Sequence, residues 1–249
     1  MKLNDLTVII TRPLQQNRLL KLELEALGIN TISFPCIEIS GLSQQQVQFN
    51  LKLPLADYDL ICFTSPNSVA CSKNILSNLQ QLTLPVQLAA VGRSTAEELH
   101  AYGFDNVIVP TIKSDSEALL DALAEYSLQE KNVLIVKGVG GRQLLRNALQ
   151  KKHCTVHTLD VYERLLPHNP PPLPDHVDLI MFTSSESVEN FIALTSHQHQ
   201  LDLLACQAIV GHPRISAKAT ALGFKKVPII ANSPTDQDML IALRQWART

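Results

Sequence analysis

The chain has 249 residues, 45% of them hydrophobic and 18% charged, with 21 Lys+Arg against 23 Asp+Glu. A formal charge of −2 and 5% aromatic residues argue against a nucleic-acid binder, which needs a basic surface or stacking platforms. No apolar run approaches the ~18 residues of a membrane span, and the length suits one large domain or two smaller ones.

In chain order, apolar β-rich runs are predicted at 6–11, 31–34, 60–63, 87–91, 107–109, 133–136, 155–162, 179–182, 208–210 and 227–230, with helical stretches between them. The first helix is predicted over 14–27, with Leu19, Leu20, Leu24 and Leu27 on one face and Gly28 as its stop signal. Continuous apolar strands alternating with helices imply parallel sheets covered on both faces, an α/β doubly wound class. Five strands per unit suit a flavodoxin-like sheet better than a six-stranded dinucleotide fold. Residues 167–174, Pro-His-Asn-Pro-Pro-Pro-Leu-Pro, cannot form helix and read as a stiff extended connector.

The chain also repeats itself. Asp59-Leu-Ile-Cys-Phe-Thr-Ser-Pro-Asn-Ser-Val69 returns 119 residues later as Asp178-Leu-Ile-Met-Phe-Thr-Ser-Ser-Glu-Ser-Val188. Val91-Gly92 and Gly103-Phe104 are echoed by Val210-Gly211 and Gly223-Phe224. A repeat of about 120 residues is too long for a solenoid and implies two similar domains, whose first strand-helix pairs can be exchanged.

Ligands of open α/β sheets bind at the carboxyl ends of the strands. Six segments occupy those positions: Thr11-Arg12-Pro13, Thr64-Ser65-Pro66-Asn67, Gly92-Arg93-Ser94-Thr95, Gly138-Val139-Gly140-Gly141-Arg142, Thr183-Ser184-Ser185 and Gly211-His212-Pro213-Arg214-Ile215-Ser216. Each follows a strand and opens a helix with hydroxyls, glycine or cations, and acids are scarce in the first turns. Hydroxyls there cap helices, while free N–H groups beside cations form an anion site, and both roles can coexist. Six such segments favour a ligand with many negative groups.

A dinucleotide reading has Gly138-x-Gly140 but Gln143 in place of the third glycine, with Asp160 imitating the ribose-binding acid. Neither CxxC nor a helical HxxxH pair occurs, so no metal site is expected. Five cysteines at irregular spacings, and an opening without a secretory h-region, read as reduced thiols in a cytoplasmic chain. No catalytic triad is readable, and His212, the one histidine on a strand-end loop, reads as solvated or capping. Tyr162 ends a strand just before the proline run. Its phenol is either half-buried packing or a general acid for a leaving hydroxyl.

Taken in order, Thr11-Arg12-Pro13, Phe63-Thr-Ser-x-x-Ser-Val69, Val91-Gly92-x-x-Thr95-Ala96, Gly103-Phe104, Lys137-Gly138-x-x-Gly141-Arg142, Val161-Tyr162-x-Arg164 and Phe182-Thr183-Ser184 resemble the uroporphyrinogen-III synthase family over nearly the whole chain. The resemblance implies two flavodoxin-like domains joined by a two-stranded β connector, 1–36 with 168–249 and 37–167, with an active-site cleft between them. It implies cyclisation of the linear tetrapyrrole hydroxymethylbilane with loss of water and inversion of ring D, without metal or organic cofactor. Tyr162 matches the family tyrosine thought to assist departure of the hydroxyl. Arg12, Ser65, Asn67, Thr95, Lys137, Gly138, Arg142, Ser184 and Ser216 are the expected substrate-binding residues. At Ser216 the loop is one residue longer than the family's and carries serine for threonine. The expected partners are the bilane alone and, in passing, hydroxymethylbilane synthase, for a monomer without nucleic-acid or membrane contacts. Beside this stand two other readings, a binding or regulatory protein of the same fold and a two-domain enzyme for a nucleotide or phosphorylated ligand.

Overall fold

A computed structural model describes residues 3–83, 86–111, 113, 115–141, 143–195 and 202–248. Its strands are β1 (Thr7–Ile10), β2 (Asn30–Ser33), β3 (Glu38–Gly41), β4 (Leu60–Phe63), β5 (Gln87–Ala90), β6 (Val107–Ile108), β7 (Asn132–Gly138), β8 (Thr155–Leu165), β9 (Leu179–Phe182), β10 (Gln207–Val210) and β11 (Ile229–Ile230). The helices are α1 (Leu14–Ala26), α2 (Gln44–Asn50), α3 (Pro66–Ala70), α4 (Lys73–Gln80), α5 (Arg93–Ala101), α6 (Ser116–Ala122), α7 (Leu144–Lys151), α8 (Ser185–Leu194), α9 (Pro213–Ala221) and α10 (Asp236–Trp246). No described helix is long and apolar enough to cross a membrane.

The chain divides into two compact units, residues 1–38 with 165–249 and residues 39–164. The sheet of the first unit runs β11-β10-β9-β1-β2 with every recorded pairing parallel. That is the 2-1-3-4-5 order of flavodoxin-like sheets, counted in chain order within the unit. The second unit has the same spatial arrangement, β8-β7-β4-β5-β6, but its chain order is circularly permuted so that the central strand β4 comes first, and β3 is added at the edge beside β8. The sixth strand is absent from the ten predicted runs because Glu38–Gly41 is four residues long and only half buried, with no apolar run to mark it. The chain leaves the first unit along β3 and returns along the end of β8, and these two strands are neighbours. The proline-rich run follows that return crossing.

This order shows what the duplication has become. The echoed segments put β4, β5 and β6 in register with β9, β10 and β11. The register of Val8 on Leu179 and of Val133 on Leu60 then makes β1–β2 the counterpart of β7–β8. Each unit is therefore built from the β-α-β of one repeat and the last three strands of the other.

Alternation along the central strands separates two cores in each unit. In the first, Val8 and Ile10 meet Leu20 and Leu24 of α1 and Met239 and Leu243 of α10, while Ile9 faces Val188 and Phe191 of α8 and Ile215 of α9. Phe191 packs edge-on against both Phe34 and Phe182, at 5.5 Å between ring centroids in each case. In the second, Ile61 and Phe63 meet Val69, Ile75 and Leu99, and Leu60 and Cys62 meet Leu119, Leu145 and Leu149. The predicted face of α1 needs correction at one residue. Leu20 and Leu24 are buried with Asn17, but Leu19 is 69% exposed, because it lies about 100° round the helix from Leu20. The strand predicted over 227–230 shrinks to β11, since Pro228 has no N–H to give the ladder.

Candidate active site

The strand order of the second unit brings the carboxyl ends of β8, β7, β4 and β5 side by side, with the switch point between β7 and β4. Tyr162 stands near the end of β8. At residue 137 the ladder is in simple register, Lys137 on Asp160, but Gly138 pairs with Tyr162, so Val161 is an extra residue in β8. This bulge puts Val161 and Tyr162, consecutive residues, into the same core. The Tyr162 side chain is only 3% exposed.

Its ring lies directly on Gly138, where a Cβ would stand 2.6 Å from Tyr162 Cζ. The Val139 N–H donates to the Tyr162 carbonyl at 2.8 Å. The phenol oxygen is 3.1 Å from Ser65 Oγ. Ser65 is the N-cap of α3 and accepts the Ser68 N–H at 3.1 Å, while Ser68 Oγ donates to the Ser65 carbonyl at 2.6 Å. With Oγ accepting that N–H, the Ser65 hydroxyl hydrogen is available for Tyr162 Oη, and the phenol hydrogen is then free to leave toward a substrate oxygen. Hydrogen bonds chained in this direction reinforce one another. Asn67, half buried, occupies the first turn of α3, and Thr95, buried, the first turn of α5.

Lys137 Nζ donates to Asp160 Oδ1 at 2.8 Å, to the Gly138 carbonyl at 2.9 Å and to the Gly140 carbonyl at 2.6 Å. Asp160, the acid that imitated a ribose ligand, is thus an ion-pair partner. Arg142 lies outside the described residues.

The first unit repeats the pattern. Ser184 caps α8 and accepts the Ser187 N–H at 3.0 Å, and Ser187 Oγ returns a bond to the Ser184 carbonyl at 2.7 Å. Arg12, after β1, is ion-paired with Asp236 in the first turn of α10 and also donates to the Pro234 carbonyl. Ser216 is half buried within the first turns of α9, whose N-cap is His212, with Nδ1 accepting the Arg214 N–H at 3.1 Å. The helices that follow the six strand-end segments are α1, α3, α5, α7, α8 and α9. Among the described residues all but α8 lack an acid in the first turn, and α8 has Glu186. No group of three or more His, Cys, Asp or Glu side chains among the described residues is placed to hold a metal.

Sequence reasoning passed over Ser68, Ser187 and the pairing of Lys137 with Asp160. The first two carried a signal, Ser-x-x-Ser before an apolar residue, which is a capping box with serine in place of Glu or Gln. The third carried none, because two residues 23 positions apart meet only through the β7–β8 register.

The family model of uroporphyrinogen-III synthase HemD matches residues 19–241. The chain belongs to the uroporphyrinogen-III synthase family. Relatives of that name include one from Synechococcus elongatus, 28% identical over 97% of this chain and 96% of its own length. Another, from Salmonella typhimurium, is 27% identical over 93% of this chain and 97% of its own. Two solved structures share the fold of this uroporphyrinogen-III synthase family member. That of the Helicobacter pylori uroporphyrinogen-III synthetase has a TM-score of 0.63 at 17% identity, covering 97% of this chain and 99% of that one. A mutant uroporphyrinogen III synthase from Thermus thermophilus has a TM-score of 0.58 at 18% identity, covering 98% of this chain and 99% of that one.

Proposed function

We propose that the chain is a cyclising lyase that closes hydroxymethylbilane to uroporphyrinogen III, with loss of water and inversion of ring D, in tetrapyrrole biosynthesis. The observation that carries the assignment to this site is the Ser68–Ser65–Tyr162 chain of hydrogen bonds at the switch-point end of β4 and β8. It supplies a phenol proton donor whose hydrogen-bond partner is a neutral hydroxyl. The departing hydroxyl takes the Tyr162 proton and leaves as water, the resulting azafulvenium reacts with a carbon of ring D held against it, and the proton that ring D releases on closure restores the phenol. Because the same bilane closes in water without inversion, the main contribution is orientation. The carboxylates of the bilane meet uncapped N–H groups at the helix starts that carry no acid, with Asn67, Thr95 and Ser216 beside them, and Ser184 adds its hydroxyl at the start of α8. Five unpaired thiols, four of them in apolar surroundings, support a reducing, cytoplasmic setting.

Single-turnover rates with hydroxymethylbilane test the role of the phenol. Tyr162→Phe should slow ring closure by about 10- to 1000-fold, the usual contribution of a positioned acid, while the fold persists. A rate equal to that of the unchanged chain would remove Tyr162 from the chemistry.

A further inference from the structure

We infer that Lys137 is a positioning residue, clasped by Asp160, whose task is to hold the 138–141 loop and through it Tyr162, and that it does not itself bind a substrate carboxylate. This inference rests on the function proposed above. An ammonium group has three N–H donors, and Lys137 has three acceptors in place: Asp160 Oδ1, the Gly138 carbonyl and the Gly140 carbonyl. The lysine side chain is 13% exposed and that of Asp160 38%, so the clasp is set into the edge of the unit with the carboxylate on its outer side.

The consequences run to the reacting group. Lys137 and Asp160 are the last residues in simple register before the bulge, so the ion pair pins the ladder at the point where it shifts. Beyond it Gly140 and Gly141 both have left-handed backbone, at φ +76° and +82°, a loop without a ladder of its own to hold it. Lys137 ties two carbonyls of that loop to one nitrogen. One of them belongs to Gly138, the residue on which the Tyr162 ring rests.

The duplicated unit puts a cation at the same place but gives it other partners. The strand register puts Arg12 opposite Lys137 in the internal repeat, and Arg12 bonds Asp236 of α10 and the Pro234 carbonyl before that helix, whereas Lys137 bonds the neighbouring strand and its own loop. The two differ in what remains. Arg12 uses two of its five N–H groups in these bonds and keeps donors for a ligand, whereas Lys137 is filled.

Asp160→Asn, Lys137→Met and the double variant separate positioning from binding. A positioning clasp predicts that either single change lowers kcat by about 10-fold or more with a smaller change in KM, that the double variant is no worse than the poorer single one, and that the uninverted type I isomer rises in the product. Backbone hydrogen exchange over residues 138–141 of the free protein should quicken by about 10-fold or more in both single variants. A direct carboxylate ligand predicts the opposite pairing. Lys137→Met would raise KM with kcat kept, and Asp160→Asn, by freeing the lysine, would leave KM unchanged or lower it, with exchange unaltered; that result overturns the inference. If Lys137→Met does not fold, Asp160→Asn alone decides, by loop exchange and by kcat. If the unchanged protein forms only type I isomer, the proposed function fails, and exchange in the ligand-free protein still decides whether the clasp holds the loop.

Discussion

Tyr162 and Gly138 depend on each other at a distance that leaves no room for a methyl group. A Cβ at position 138 would meet three ring carbons of Tyr162 between 2.6 and 3.0 Å, and the ring has the core behind it. Gly138→Ala should therefore cost about 1–3 kcal/mol, as overpacking does, and should turn the phenol away from Ser65. Thermal denaturation would show the lowered Tm, and bilane turnover should fall with it; a variant as stable and as active as the parent would show that the ring moves freely. The types of residue at this site were readable from their place after strands. Their partners were not. The clasp of Lys137 by Asp160 comes from the β7–β8 register and the contact of Gly138 with Tyr162 from the bulge just beyond it, and neither leaves a mark in the spacing of apolar residues.

The ends of α1 and α7, counterparts in the two repeats, close in the same way with different residues. After α1, the Gly28 N–H bonds the Glu25 carbonyl and the Ile29 N–H bonds the Leu24 carbonyl, a paired closure that needs a left-handed residue, and Gly28 has φ +79°. The corresponding end of α7 makes the same two bonds, from His153 to Gln150 and from Cys154 to Leu149, but with histidine at φ +61°. A non-glycine residue there carries a penalty of about 1–2 kcal/mol, so His153→Gly should raise stability by about 1 kcal/mol in urea titration, with its midpoint shifted upward and its slope unchanged. An unchanged midpoint would mean that the imidazole contributes as much as the turn costs.

Strand starts show a second shared device. Asp59 accepts the Asn132 N–H at 2.8 Å, and Asp178 accepts the Thr7 N–H at 2.8 Å, so each carboxylate fastens the first amide of the strand beside the switch point. At Asp59 the hydrogen bond from Lys131 holds the carboxyl below its usual 3.8, aided by the Asn132 amide. Such a group contributes its stability above the ordinary carboxylate value and loses it as pH falls through the lowered one. Asp59→Asn should accordingly lower stability at neutral pH and make it fall less steeply below about pH 4. Parallel slopes for the two proteins in acid would show that the pair adds nothing there. The repeat itself announced Asp59 and Asp178 as equivalent, but their amide partners became visible only with the strand order.

For the whole molecule, the duplication carried most of what could be known in advance. It gave the count of two domains and the matching strand-end segments, because apolar strands and Phe-Thr-Ser turns keep their spacing when a segment is copied, while the parallel sheets were legible from apolar strands alternating with helices. The extra strand β3, a half-buried edge strand, has no mark in the apolar pattern and is expected only as part of the two-stranded connector that the family resemblance implies. Each unit joins the β-α-β of one repeat to the last three strands of the other, so neither unit is complete until the chain has passed β8 and returned. The near-neutral charge also takes on a meaning. Lys137 is occupied by Asp160 and Arg12 is paired with Asp236, so the proposed function assigns much of the binding of a polyanion to backbone N–H groups at helix starts.

The most direct test of that account supplies purified hydroxymethylbilane to the chain at catalytic concentration and separates the uroporphyrin isomers by chromatography after oxidation. The fold, the family and the buried Tyr162–Ser65 pair predict that type III predominates and that its share grows with the amount of protein. Type I as the sole product, at the rate of the uncatalysed closure, would contradict it.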